Sequence, residues 1–404
     1  MFMPTARSST TSSIWLDIMW RHFAFRLPDL EELHGDLPLQ NVVLTESLSA
    51  PGDLTATLPD SLGHEHVRVG NLDVPLIEVR GTIIISQHTE RELTYANIVS
   101  APPELDPEQH IVGVTGVGFS SVMDKLPWFS QAFDGIDVDP LDMARLLVAE
   151  ASAYDTSLKI ETNDVRSPTR IGEPLQEIEF STGTGEVVDF EAGPRPRLSR
   201  TRTPDMFKVF QDMAEETPHD WQERVLLPVE GDPVFRIEFG YPDTVVDAGG
   251  ERQVFEFGSQ IVDFGLHDLV DYASEVFVTA GNDHPNIQAH VVSSGRRRLR
   301  TVLVEEDKSL GSLRQARNRA QALMDEIDAA YNILREGGSD VSAQYISSIT
   351  VKDDALPVVL GEVVEVKGFL SWGYHWQSGR IVEITRDIRQ QTTKLTLQPW
   401  EVDD

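Results

Sequence analysis

The sequence predicts an α+β, strongly β-rich fold divided into several domains, and three observations carry that prediction. Short β-branched and aromatic runs recur at roughly 8–12-residue intervals between Gly, Pro, Asn and Asp, the spacing of barrels and sandwiches. Helical periodicity is concentrated in residues 139–154, 203–217 and 310–334. The resulting order is β, then α/β, then α+β with a long helix, then β, which is not the alternation of a doubly wound parallel sheet. A chain of 404 residues has room for two to four domains at roughly 100–200 residues each.

The first nineteen residues are rich in Ser and Thr and read as a loose arm. Residues 20–133 then carry the strand runs LQNVVLTESLSA, LTATLP, HVRVGNL, LIEVRGTIIISQHT, LTYANIVSA and HIVGVTGVGF. Gly118–Lys125 reads as the start of a short helix that ends before Pro127. Residues 139–154 form the clearest early helix. Asp139 is placed to cap it, and Pro140 sits at the first helical position, where its missing N–H costs nothing. Leu141, Ala144, Leu147, Val148 and Ala151 recur as a buried stripe. After a polar Gly/Pro stretch, Leu175–Phe180 and GTGEVVDFEAG read as strands. Thr203–Pro204 opens a second helix with a stripe of Phe207, Phe210, Met213 and Ala214. RVLLPVE and VFRIEFGYP are strands, and VFEFGSQIVDFGLHDLVDYASEVFVTAG reads as strand, short helix, strand. A long helix spans 310–334 on Leu313, Ala316, Ala320, Leu323, Ile327, Ala330 and Leu334, with Gly337 and Gly338 to end it. The final segments YISSITVKDD, GEVVEVKGFL, GRIVEITRDIR and TKLTLQPWE are β again. The expected divisions are therefore an arm (1–19), a first β domain (20–133), an α/β domain (134–225), a strand segment plus α/β domain (226–345) and a C-terminal β segment (346–404).

Composition excludes several classes. The chain is 40% hydrophobic and 25% charged, a globular balance. It contains no cysteine, which removes disulfide scaffolds, thiol catalysis and cysteine-ligated metal centres. Its densest apolar run, Thr82–Ile85, is strand-length, far short of the ~18 residues of a membrane helix, so no membrane segment is expected. Acidic residues number 66 against 34 basic, a net charge of −32. The excess is spread through every segment and belongs to folded surfaces. Such a protein repels the phosphate backbone, which excludes a nucleic-acid-binding enzyme. Arginine far outnumbers lysine, as in a GC-rich or salt-adapted source. Only Arg195, Arg197, Arg200 and Arg202, and Arg296–Arg298 with Arg300, form basic clusters; pairing with the acidic excess is the expected use of both.

Candidate chemistry is sparse. Gly113–Ser121 lacks the lysine of a phosphate loop and the spacing of a dinucleotide fingerprint; tight strand packing explains its glycines. His64 and His66 alternate as two metal ligands could, without a third of known place, and read as solvated. His219 and Asp220 beside Trp221 suggest acid–base work, but no nucleophile elbow accompanies them. The sequence assigns no catalytic, cofactor-binding or metal-ligating residue.

The order of segments resembles the tail hub, or minor tail, proteins of long-tailed phages and archaeal tailed viruses. LPLQNVVLTESLSAPGDLTATLP is similar to that family's first strand pair, with Pro51, Gly52 and Thr55–Leu58 in the turn and following strand. HIVGVTGVGFSSVMDKLPW and DPLDMARLLVAEA resemble the strand, short helix and longer helix that follow. Phe255–Gly258 resembles a Phe-x-x-Gly phrase leading to a short helix and a strand ending in Gly281. Ser309–Leu334, then Gly361 and Val364 and GRIVEITRD, resemble the closing helix and strand pair. The likeness spans about residues 20–400.

The resemblance implies a homotrimeric ring in which each subunit supplies two β-barrel-like domains. The first would be residues 20–133, and the second would come from about 226–265 with 346–404. It implies a place in the virion at the tail tip or baseplate. Its partners would be a distal tail protein ring, a tape measure protein and receptor-binding or fibre tip proteins, with genome DNA passing the lumen without specific binding. It implies no cofactor and no enzymatic activity. Many such proteins carry a C-terminal peptidase or glycosidase; this chain stops soon after Trp400, and no lytic domain is expected. Two other readings compete. One is a carbohydrate-binding or carbohydrate-active protein that stacks sugars on Trp372 and Trp376, although those aromatics also suit the cap of a hairpin turn. The other is a halophilic cytoplasmic enzyme.

Overall fold

A computed structural model describes residues 19–106, 108–128, 130, 133–134, 138–154, 158–167, 177–181, 187–191, 197–198, 205–216, 219–228, 231–240, 252–268, 273–279, 287–292, 302–306, 313–336, 344–370 and 373–400. The chain is β-rich with few helices, an α+β fold of large antiparallel sheets.

The N-terminal third comprises β1 (Trp20–Arg26), β2 (Glu32–His34), β3 (Gln40–Ser47), β4 (Ala50–Pro59), the one-turn α1 (Asp60–Gly63), β5 (His66–Val69), β6 (Leu72–Pro75), β7 (Thr82–His88), β8 (Thr94–Val99), β9 (Glu104–Asp106) and β10 (Ile111–Gly118). A 3-10 turn at Phe119–Met123 stands where the short helix was expected. The run Thr82–Ile85 is apolar without alternation because β7 is buried on both faces. Ile84 joins the core with Trp20, Leu44, Leu54 and Leu58. Ile83 and Ile85 face a second core shared with the helices.

Next come β11 (Phe133–Asp134), α2 (Pro140–Ser152), β12 (Ile160–Thr162), β13 (Glu177–Ser181), β14 (Val187–Glu191), β15 (Arg197–Leu198), α3 (Met206–Glu216), β16 (Asp220–Leu226) and β17 (Val234–Gly240). α2 begins as expected: the Asp139 carboxylate accepts the Leu141 N–H at 2.9 Å, with Pro140 in the first turn. Its predicted stripe is buried, joined by Met143. For α3 the structure places a cap at Asp205, whose side chain accepts the Phe207 N–H at 3.0 Å; Thr203 and Pro204 lie outside the described residues. β12 pairs in parallel with β17, and β17 in antiparallel with β16.

The rest comprises β18 (Val254–Glu256), β19 (Ile261–Asp268), β20 (Glu275–Thr279), β21 (Gln288–Val292), β22 (Val302–Glu306), α4 (Leu313–Glu336), β23 (Gln344–Val351), β24 (Val363–Leu370), β25 (Gly373–Asp387) and β26 (Thr392–Pro399). After Phe255–Gly258 the chain forms the strand β19; residues 269–272, between it and β20, where the expected short helix could fall, lie outside the described residues. β19 pairs with β23 from Ile261–Val351 to Asp268–Gln344, and two register shifts absorb its irregular pattern. Long-range pairing holds it extended where local preference is weak. On α4 the stripe Ala316 and Ala320 is buried with Met324. Leu313 is 45% exposed, because it lies a turn before the helix meets β20 and β21.

One ladder runs β19-β23-β26-β25-β3-β4-β10-β8-β7-β1-β2, with β24 and β18 attached beside β25 and β9 beside β10. The pairing of β25 with β3, from Glu383–Ser47 to Asp387–Val43, fuses the N-terminal strands to the C-terminal ones. The path does not close into a barrel among the described residues. The C-terminal strands enclose their own core of Ile346, Ile349, Val364, Val366, Ile381, Ile384 and Leu395. The sheet β21-β20-β22 packs on α4 as a fourth, smaller core.

Candidate functional site at the seam between the sheets

β16 meets both halves of the long ladder. The Ser49 N–H, in the β3–β4 turn, donates to the Trp221 carbonyl at 2.8 Å. The Ser49 hydroxyl donates to Asp220 Oδ1 at 3.2 Å. The other Asp220 oxygen pairs with Arg380 of β25, whose guanidinium lies 5.5 Å from the Trp400 ring centre. Trp221 is fully buried, with Phe210 edge-on at 5.1 Å. Three adjoining pieces of chain are thus tied at one strand end.

Two residues further along β16, Glu223 drops its carboxylate onto the N-terminal sheet. Its oxygens accept the Ser120 N–H at 2.6 Å and the Gly52 N–H at 3.2 Å. Glycine is required beside it: a Cβ on Gly118 would overlap the Glu223 carboxylate. The glycines of the HIVGVTGVGF strand therefore serve close packing, as expected. Burial pushes the Glu223 carboxyl up from 4.5 to about 7, against the two backbone donors that favour its charged form.

A second polar knot binds the ladder halves across β25 and β8. Arg386 is fully buried. Its Nε donates to the Tyr95 hydroxyl at 2.6 Å and its Nη1 to the Leu356 carbonyl at 3.0 Å. Tyr95 in turn donates to Glu46 at 3.1 Å, and Glu46 lies 3.8 Å from Arg386. Trp20 Nε1 donates to Asp354 at 3.1 Å, and Arg91 pairs with Asp353 at 3.3 Å. Burial raises the Tyr95 phenol well above its ordinary value. An arginine held this way fixes orientation more than it adds net stability.

Between β8, the β16–β17 hairpin and the start of β4 lies a cavity of about 300 Å³, lined by Glu46, Gly52, Asn97, Glu223 and Arg236 among others.

The other sequence candidates are dispersed. His64 and His66 are exposed, and no group of metal-ligating side chains converges among the described residues. His219 is buried, which lowers its pKa to about 4, and its neighbour Asp220 serves the Arg380 pair. His22 Nδ1 lies 2.8 Å from Ser86 Oγ, but both are buried in packed core, where no substrate reaches them. Trp376 stands 54% exposed on the β24–β25 hairpin opposite Lys367; Trp372 lies outside the described residues. Of the basic clusters only Arg197 is described, in β15. Glu223, Asn97, Tyr95 and Arg386 carried no sequence signal, being single polar residues in strands without a motif.

No family model matches the chain, and no curated protein matches it. Solved structures do. The 43 kDa tail protein of prophage MuSo2 from Shewanella oneidensis aligns over 94% of this chain and 98% of its own, at 12% identity and a TM-score of 0.53. A tail protein from Neisseria meningitidis MC58 aligns over 94% and 98%, at 10% identity and a TM-score of 0.50. The chain has the fold of these tail proteins.

Proposed function

We propose that this chain is a structural tail hub protein of a tailed virus. In this reading it forms a homotrimeric ring at the tail tip or baseplate. The ring continues the tail tube, lines the DNA channel and attaches receptor-binding tip proteins. A distal tail ring and a tape measure protein meet it from above. The observation that carries the reading is whole-length likeness to a prophage tail protein, covering nearly all of both chains. The seam supports it as well. β3–β4 and β25–β26 are two hairpins paired side by side through β3 and β25, which suits two ring-forming units per subunit, residues 20–133 and 226–265 with 346–404. The polar knots at Arg386 and Asp220 would hold those units at a fixed angle, as a ring of set symmetry demands. The role is non-enzymatic. A net charge of −32 per chain would keep passing DNA in solution by repulsion. Native mass spectrometry of the purified chain tests the stoichiometry: three copies are expected, and a monomer or a two-copy species at micromolar concentration overturns the reading.

A further inference from the structure

The seam cavity contains a polar group that the fold itself does not use. Asn97 is 3% exposed and lines the cavity; its carboxamide makes no hydrogen bond to the described residues, and its polar atoms are open to the cavity space. The amide thus presents its donor and acceptor atoms to the cavity, unused by the fold. Asn97 stands opposite Gly118 in the β8–β10 ladder, and antiparallel partners share a face. The Glu223 carboxylate fills the space where a Gly118 side chain would stand, which puts the amide and the carboxylate on the same side of the sheet. Each Glu223 oxygen already accepts one backbone N–H and retains a second lone pair.

The charge of the wall identifies the occupant's class. Four carboxylates, Glu46, Glu92, Glu223 and Glu238, line the cavity against two guanidiniums. Both guanidiniums are already engaged: Arg224 lies 3.5 Å from Glu238, and Arg236 lies 2.9 Å from Glu161. Glu238 is taken up by Arg224 and Glu46 by Tyr95 and Arg386, which leaves Glu92 and Glu223 as the wall carboxylates without a guanidinium among the described residues. No three metal-ligating side chains converge among the described residues, which disfavours a compact metal ion. A planar cation with several donors matches spread acceptors better, and guanidinium offers five N–H groups in a fixed fork. The volume of about 300 Å³ is at the small end of ligand pockets, enough for one long side chain.

We propose that the Asn97–Glu223 cavity is a receptor for an arginine side chain presented by a partner protein. The proposal is independent of the tail reading, because it rests on the cavity wall alone. Saturation-transfer NMR on the purified full chain tests it, at pH 8 where Glu223, titrating about 7, is ionised. The probes are N-acetyl-arginine amide, its neutral isostere N-acetyl-citrulline amide, and calcium chloride. The arginine probe is expected to saturate in the millimolar range and the citrulline probe to bind at least about tenfold more weakly. Asn97→Leu, which fills the space, should abolish the signal. Asn97→Asp, which adds a carboxylate, should strengthen it several-fold, so the two variants move in opposite directions even if one is less stable. Equal binding of the arginine and citrulline probes overturns the proposal. So does unaltered binding in Asn97→Leu, saturation by calcium with the arginine probe silent, or no saturation of any probe.

Discussion

Glu223 makes the seam pH-sensitive in a direction opposite to most carboxylates. Its folded-state pKa is raised, from 4.5 to about 7, chiefly by desolvation. A group of this kind contributes stability that is fully present below the unfolded pKa and lost as pH rises through the folded one. The window is therefore pH 4.5 to 7. At 1.36 kcal/mol per pKa unit the full effect is about 3.4 kcal/mol, of which about 2.5 kcal/mol falls between pH 5 and pH 8. This is an upper figure, because Glu223 keeps a partial opening to the cavity. Glu223→Gln isolates the term. It removes the titration at nearly constant volume, although its NH2 then faces one of the two N–H donors from Gly52 and Ser120. The expected cost at pH 5 is about 1–3 kcal/mol. The assay is urea unfolding of the native chain and Glu223→Gln at pH 5 and pH 8, taking the double difference so that the many other carboxylates cancel. The native chain should lose about 2 kcal/mol more than the variant on going to pH 8. Identical pH dependence in the two proteins, or a larger loss in the variant, would refute the assignment of a buried, proton-holding carboxyl to the seam.

Other outcomes follow from the same structure. Arg386→Met leaves Glu46 and the Tyr95 hydroxyl without their cation and should cost about 3–5 kcal/mol by chemical denaturation. Tyr95→Phe should cost less, about 1–2 kcal/mol. Asp139→Ala removes the acceptor of the Leu141 N–H and of the Ser167 N–H; the thermal midpoint should fall by an amount equivalent to about 1–2 kcal/mol. Gly118→Ala forces the Glu223 carboxylate out of its place and should remove the excess pH dependence along with about 1–3 kcal/mol of stability. Trp376→Ala should alter stability by no more than about 1 kcal/mol, as for an exposed side chain whose indole N–H makes one long bond, 3.4 Å, to Glu365, and glycan-array binding by the native chain would revive the carbohydrate reading.

Much of the strand framework was legible because its strands alternate or run apolar between turn residues. LTATLP, TIIIS and VVEVKGFL became β4, β7 and β24 on that signal alone. The start of α2 was legible from Asp139–Pro140, where a capping carboxylate and a residue without an N–H sit at the two positions that favour them. The extent of β19 was not legible, because Gly265 and two register shifts break its alternation and pairing with β23 holds it extended. The end of α4 at Leu313 was misread because a stripe does not reveal where the neighbouring sheet begins. The fusion of β3 to β25 joins residues far apart in the chain, which no local pattern encodes. The seam was the least legible part. Among 66 acidic residues nothing in WQERV marks Glu223. Its role depends on glycines at positions 52 and 118 that only the fold brings beneath it.

Whether this chain is a ring-forming subunit of a viral tail is tested most directly by an electron cryomicroscopy image of the assembled species. The expected result is a three-fold ring with a central channel, six similar β units around the axis and carboxylates concentrated on the channel wall. A two-fold particle, or a compact monomer without a channel, would contradict it. A three-fold ring with acidity spread evenly over its outer surface would keep the assembly but remove the proposed electrostatic role toward DNA.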